Sequence, residues 1–283
     1  MILRCKVTTI PVLLFGSCSK RGPGSFVNLN MSASSTERFS SRVDAYIKYR
    51  PHYPSSVLSA LKERTGLVPR HIIADIGSGT GFSAELFLNN SNFVYGIEPN
   101  KEMREAGERY LATYKNFRSL NGIAEATTLP DRSVDYIVAG QAFHWFKFDD
   151  AYREFKRILK PDGWLVILWN DRETDTTPFL IGYENLLQEF GTDYNQINHR
   201  NIDSKQVHDF YRGKEVIELQ FENIQRLDYE GVKGRLLSSS YVPNMEEAGY
   251  EPMIARLRTI FDKYAIDGHV DIRYQTLLYA GKL

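Results

Sequence analysis

Residues 74–81 read Ala-Asp-Ile-Gly-Ser-Gly-Thr-Gly and follow the apolar pair Ile72-Ile73. Gly77, Gly79 and Gly81 lack a Cβ, so the backbone can turn sharply there and come close to a bound ligand. An apolar strand, a glycine turn and a helix opening near Phe82 together make a pocket of the nucleotide-binding type. Glu98 lies 23 positions after Asp75, at the end of a second apolar run, and an acid there can accept hydrogen bonds from both hydroxyls of a ribose. The glycines run Gly-x-Gly-x-Gly, whereas a dinucleotide fingerprint needs its third glycine one position later, where Phe82 stands. Asp75 brings a carboxylate to the turn, unfavourable beside a pyrophosphate and favourable beside an amino group or a sulfonium. Further on, His144 sits in Gln141-Ala142-Phe143-His144-Trp145-Phe146. Its ring either takes a proton from an oxygen or nitrogen nucleophile, since its ordinary pKa is near neutral, or walls the pocket together with Trp145.

The elements that must position these groups alternate along the chain. Strands are expected over 72–76, 93–97, 118–120, 134–139 and 164–169, near-continuously apolar as in a parallel sheet covered on both faces. Between them, Phe82 to Leu88 opens a helix, and Met103, Gly107, Tyr110 and Leu111 share a helical face. Tyr152, Phe155, Ile158 and Leu159 mark another helix, expected to stop at Pro161-Asp162-Gly163. Upstream, Pro54-Ser55-Ser56 followed by Val57, Leu58 and Leu61 reads as a capped helix that stops near Gly66. The pattern breaks from Asp171 to about Lys214, which is expected to be a mostly helical insertion over 171–216, either a substrate lid or a connecting excursion. A returning strand over 217–229, a helix carrying Met253, Leu257, Ile260, Phe261 and Tyr264, and a closing strand over 270–280 complete the chain.

The 283 residues carry 35 basic and 35 acidic side chains and 42 % apolar content. A zero net charge argues against nucleic-acid binding by bulk electrostatics. No apolar run reaches the roughly 18 residues of a spanning helix. Cys5 and Cys18 both lie in the first thirty residues, so the remainder has neither a disulfide framework nor a cysteine zinc site, and the histidines show no close metal-ligand spacing. Residues 1–36 are expected to be a flexible extension, and 37–283 the folded domain. The basic start and the apolar run from Val7 to Phe15 resemble a secretory signal, and the alternative is an upstream extension with Met31 as the working start. The expected setting is cytoplasmic, as monomer or homodimer, with no membrane or nucleic-acid partner and no metal.

Two further segments add specificity: Gly122-Ile123-Ala124-Glu125-Ala126 before Leu129-Pro130, and Leu159-Lys160-Pro161-Asp162-Gly163 before the fifth strand. With the Asp-x-Gly-x-Gly-x-Gly turn, Glu98 and Val134-Asp135, they make the chain from about Phe39 to its C-terminus resemble the class I methyltransferases that use S-adenosylmethionine, of the small-molecule type 11 group. The resemblance implies a Rossmann-like, doubly wound α/β sheet of seven strands, mostly parallel, with an antiparallel closing strand. It implies that Gly77, Ser78, Gly79 and Gly81 line the methionine part of S-adenosylmethionine, with Asp75 near the amino group. Glu98 would hold the ribose, Pro99 or Met103 flank the adenine, and Ala124 and Glu125 meet its edge. Met103 also fits a plain core position, and Glu125 a solvated loop acid. Gln141 and Ala142 would face the sulfonium. Tyr46 and Arg50 would reach the methionine end, Arg50 pairing with its carboxylate. Tyr49, Phe143, Trp145 and Tyr241 would line the pocket of a small-molecule acceptor, with His144 as the catalytic candidate. An NAD-dependent oxidoreductase and a non-catalytic cofactor-binding module are the other readings of the same turn.

Overall fold

Apolar strands separated by amphipathic helices can bury both faces of a sheet only by layering helices on each side. The computed structural model, which describes residues 43–192, 194 and 204–283, has this arrangement. Helix α1 (Val43–Tyr49) and α2 (Ser55–Thr65) precede β1 (Ile72–Ile76), α3 (Phe82–Leu88), β2 (Phe93–Ile97), α4 (Lys101–Tyr110), β3 (Phe117–Leu120) and β4 (Val134–Gly140). They are followed by α5 (Phe148–Ile158), β5 (Leu159–Arg172), α6 (Pro178–Phe190), α7 (Ser204–Phe210), β6 (Val216–Leu227), α8 (Tyr229–Leu237), α9 (Tyr250–Tyr264) and β7 (Val270–Gly281). The strands form one seven-stranded sheet in the order β3-β2-β1-β4-β5-β7-β6. Strands β1 to β5 are parallel, and β7 is antiparallel to both β5 and β6. The chain leaves β1 toward β2 on one side and returns to β4 on the other. Ligands of open α/β sheets bind outside the carboxyl ends of the strands at such a reversal.

Successive strand residues face opposite sides of the sheet. Ala74, Ile76, Ile137, Leu165 and Ile167 pack with Phe155 and Ile158 of α5 and Phe210 of α7. Ile73, Val94, Val138, Val166 and Leu168 pack with Val57 and Leu61 of α2 and Phe87 of α3. A third core joins α6, α8 and α9 to Val270, Ile272 and Tyr274 at the start of β7. Because β7 runs antiparallel, that start lies beside the carboxyl ends of β5 and β6. The helical cap therefore sits at the ligand-binding end of the sheet.

Three local expectations change. The helix before the fifth strand ends at Ile158, and Leu159 already pairs with Val134. Residues 160–163 bulge from within β5, with Asp162 at φ 69°, so the Pro-Asp-Gly signal marks a bulge in a strand and not a helix stop. Helix α2 starts at Ser55 after Pro54 and stops at Gly66 as expected, but no side chain caps its N-terminus. The stretch 171–216 divides, with α6 joining the cap and α7 packing on the sheet. The extension expected over residues 1–36 lies outside the described residues. Among the described residues, no helix is long and apolar enough to cross a membrane, and no cluster of His, Cys, Asp and Glu side chains is arranged for a metal ion.

Candidate active site

Beyond β1 the backbone N–H groups of Gly77 and Ser78 both donate to the Ile97 carbonyl of β2, at 2.8 and 3.1 Å. Gly77 and Gly79 have φ of 67° and 54°, in the left-handed region that glycine enters at no steric cost. Position 77 is also crowded: a Cβ built there would lie 2.6 Å from the Ala142 Cβ. The loop after β4 thus presses on the turn after β1, and only glycine lets them meet.

Glu98 fastens the turn to the end of β2. Its Oε2 accepts from the Gly79 N–H at 2.9 Å, and its Oε1 from the Asn100 N–H at 2.8 Å. Burial pushes its pKa up, against the pull of these two N–H groups and of Arg104. Each carboxylate oxygen can accept a second hydrogen bond. The Asn100 side chain in turn caps α4 by accepting from the Met103 N–H at 2.9 Å. Met103 Cε lies 3.4 Å from the position of a Gly79 Cβ, so the thioether flanks the turn while its residue remains part of a buried cluster.

Helix α1 approaches from the other side. The Tyr46 ring stacks on Phe82 at 5.9 Å, and the Arg50 guanidinium lies 5.0 Å from the Tyr46 ring centre. Arg50 Nη2 donates to the Ser238 carbonyl at 2.9 Å. Its Nε is buried with no hydrogen-bond partner. On the β4 side Gln141 is held at φ 55°, an uncommon conformation for this residue type. Its Oε1 accepts from the Asn170 N–H at 2.6 Å, which ties the end of β4 to that of β5. The His144 ring packs at 4.4 Å on Trp145 and edge-on to Trp169 at 5.2 Å. This apolar company disfavours the imidazolium and lowers the pKa, to about 4, although the residue as a whole is exposed to solvent. Ala124 is buried in the core beside Ile97, and Glu125 Oε1 accepts from the Lys147 N–H at 2.7 Å, bracing the loop before α5. Pro99 is exposed.

Some candidates face elsewhere. Asp75 is fully buried, and both its carboxylate oxygens accept from Ser83 Oγ, at 2.9 and 2.7 Å. It therefore anchors the start of α3 and does not line an open cradle. Phe143 is 2 % exposed and stacks on Phe148 at 4.8 Å, which makes it core and not pocket wall. The Tyr49 ring packs on Gly234 of α8, and Tyr241 sits in the cap core against Tyr194. Tyr53 also reaches the end of β4, a contact that the motifs did not single out. Its hydroxyl lies 2.7 Å from the position of a Gly140 Cβ, and burial raises its pKa well above the ordinary value.

Burial pushes the pKa of Asp75 from 3.8 to about 7, with the Glu98 charge adding to the shift and the Ser83 and Ala84 hydrogen bonds opposing it. Between these two values the native state holds a proton that the unfolded chain has lost. Stability should therefore fall as pH rises from about 4 to about 7 and level off above. In denaturation at pH 5 and pH 8, Asp75→Asn should remove this slope and be more stable than the wild type at pH 8. A wild type that gains on the variant between pH 5 and pH 8 would mean that hydrogen bonds, not burial, dominate at Asp75.

A doubly wound sheet with a glycine turn at its reversal, an acid ending β2 and a neutral, aromatic-rich loop after β4 defines the class I methyltransferase architecture. Residues 74–167 match the family model described as methyltransferase domain. An uncharacterized methyltransferase-like protein of Schizosaccharomyces pombe is 30 % identical over 156 residues, 55 % of this chain and 59 % of that one. An uncharacterized methyltransferase of Mycobacterium bovis is 33 % identical over 135 residues, 48 % of this chain and 53 % of that one. The chain thus spans little more than half the length of the curated relatives it matches. A solved structure from Anaeromyxobacter dehalogenans, described as a type II methyltransferase, superposes with a TM-score of 0.60 at 20 % identity, covering 83 % of this chain and 98 % of that one. That likeness concerns the fold. Residues 74–167 are thus similar to methyltransferase domains in sequence, and the sheet around them has the fold of a solved methyltransferase structure.

Proposed function

We propose that the chain transfers a methyl group from S-adenosylmethionine to a small-molecule acceptor. The observation that carries this reading is the Glu98 carboxylate bonded to the Gly79 N–H, which joins a ribose-type acid to the glycine turn at the sheet reversal. A nucleoside fits there: the left-handed glycines leave the backbone bare, and both Glu98 oxygens keep acceptor capacity for two ribose hydroxyls. Met103 would flank the base. Gly77, Gln141 and Tyr53 would surround the methionine end, and α1 would close over it through Tyr46.

When bound, S-adenosylmethionine supplies an electrophilic methyl on a sulfonium. The chain's own part is orientation and exclusion of water, since an in-line approach needs little more than a positioned nucleophile. His144 would face the acceptor as a neutral imidazole. With its proton affinity lowered it is a weak base, so an acceptor that is already anionic suits this site best.

Titrating the full chain separately with S-adenosylhomocysteine and with NAD tests the reading. Saturable binding of the homocysteine compound without binding of NAD is expected. Tight NAD binding with no response to S-adenosylhomocysteine would overturn it. Incubation with a methyl-labelled donor and fractionated small-molecule extract should then label an acceptor.

A further inference from the structure

Past Tyr46 and Arg50, at the carboxyl ends of β5 and β6 and beneath the helical cap, the structure buries more positive charge than it neutralises. Arg235 of α8 is 6 % exposed, and it donates from Nε to the Tyr274 hydroxyl at 3.0 Å and from Nη1 to Ser239 Oγ at 3.3 Å. It lies close enough to Arg50 that its charge, after burial itself, helps push the Arg50 pKa down. Arg172 at the end of β5 has a carboxylate partner, Glu184. Arg50 and Arg235 have none among the described residues: their partners are a backbone carbonyl and hydroxyls. Two polar atoms of this cluster are buried without any partner, Arg50 Nε and the hydroxyl of Tyr183, whose residue is 1 % exposed. Arg235 and Arg172 both act electrostatically on that tyrosine.

Buried guanidiniums are normally paired, because an unpaired buried charge is strongly destabilising. Buried polar atoms are normally hydrogen-bonded, and each exception asks for an explanation. Of the three such exceptions among the described residues, two fall in this cluster and the third is the Thr80 hydroxyl at the glycine turn; the two lie beside donors already arranged in the planar fork that matches a carboxylate. The rings of Tyr183, Tyr241 and Tyr274 around Arg235 supply apolar walls. The cluster is continuous with the glycine turn, since Phe82 follows Gly81, Tyr46 stacks on Phe82, and Arg50 lies over Tyr46.

We infer that Arg50, Arg235 and the Tyr183 hydroxyl form a carboxylate-binding site that holds the methyl acceptor, a small organic acid. The term acceptor rests on the methyl-transfer reading, whereas the anion site stands on the geometry alone. A carboxylate could also come from the methionine end of the donor, and Arg235 distinguishes the two sources because it lies on the cap side, one step beyond Arg50.

The experiment is thermal unfolding of the full chain with saturating S-adenosylhomocysteine and about 10 mM succinate, citrate or benzoate, against salt-matched chloride and the amides succinamide and benzamide. At least one acid should raise Tm by roughly 2–4 °C, and its amide should not. Arg235→Gln should abolish that shift while S-adenosylhomocysteine affinity, measured by calorimetry, stays at the wild-type value. Tyr183→Phe removes a hydroxyl with no partner, so the variant should fold, and it should also weaken the response. Absence of any acid effect, an equal effect of the amides, or a shift that survives in both variants would overturn the site. Loss of S-adenosylhomocysteine affinity in Arg235→Gln would overturn the acceptor assignment in favour of the donor's carboxylate. A wild type that responds to acids but does not bind S-adenosylhomocysteine would overturn methyl transfer and leave the anion site.

Discussion

Gly77→Ala should lose S-adenosylhomocysteine binding and destabilise the chain by about 2–4 kcal/mol, the sum of a left-handed non-glycine residue and an overpacked contact. The native φ of 67° is retained only at the cost of strain once a Cβ is present. That Cβ would also stand 2.6 Å from the Ala142 Cβ, a distance no pair of methyl groups tolerates. Either the turn after β1 or the loop after β4 must shift, and both contribute to the proposed donor site. Gly79→Ala is the milder neighbour. Its φ of 54° carries similar strain, but the nearest atom to its Cβ is the mobile Met103 Cε at 3.4 Å. Gly66→Ala serves as a control, with φ 73° and nothing within 4 Å of its Cβ, far from the site. Calorimetric titration and chemical denaturation of all three separate strain from site damage: binding should fall steeply for Gly77→Ala, modestly for Gly79→Ala and not at all for Gly66→Ala. Wild-type affinity in a folded Gly77→Ala protein would exclude the turn as the donor cradle.

The glycine turn was legible in the sequence for the reason that makes Gly77 sensitive: positive φ in a strand-to-helix turn demands a residue type that can be seen. The strand pattern and the closing strand were legible likewise, because their signals are local. Side-chain direction was not. Asp75 sits at the expected place in the turn, yet its carboxylate points into the start of α3, where Ser83, a residue with no motif value, receives it. Phe143 belongs to an aromatic run that looked like pocket lining, and its ring turned instead to Phe148 and Phe210. The Pro-Asp-Gly signal after α5 was real, but parallel pairing of Leu159 with Val134 absorbed it as a bulge. The arginine cluster was the least legible. Arg50 meets Ser238 across 188 positions, and Arg235 meets Tyr274 across 39, so no spacing rule relates them. A buried charge lacking an acid is visible only after folding.

Glu98→Gln should weaken S-adenosylhomocysteine binding by a factor of about 10–100, as expected when one or two hydrogen bonds to a charged acceptor are lost. The carboxylate already accepts from the Gly79 and Asn100 N–H groups, one per oxygen. An amide offers one oxygen and one NH2, so one of those buried N–H groups must face a donor, costing about 1–3 kcal/mol. The variant is therefore hit twice, in the shape of the turn and in the acceptors left for ribose hydroxyls. Glu98→Asp tests the same point from the other direction: it keeps the charge but is one methylene shorter, so it cannot span from Gly79 to Asn100 without moving the turn. The readout that isolates the ribose is a comparison of S-adenosylhomocysteine with its 2′-deoxy analogue. In the wild type, removal of the 2′-hydroxyl should weaken binding, and in Glu98→Gln the two ligands should bind nearly alike. If the deoxy analogue binds the wild type as well as the parent compound does, Glu98 holds the turn together but does not touch the sugar. The domain would then keep its donor through the glycine backbone, Met103 and α1 alone.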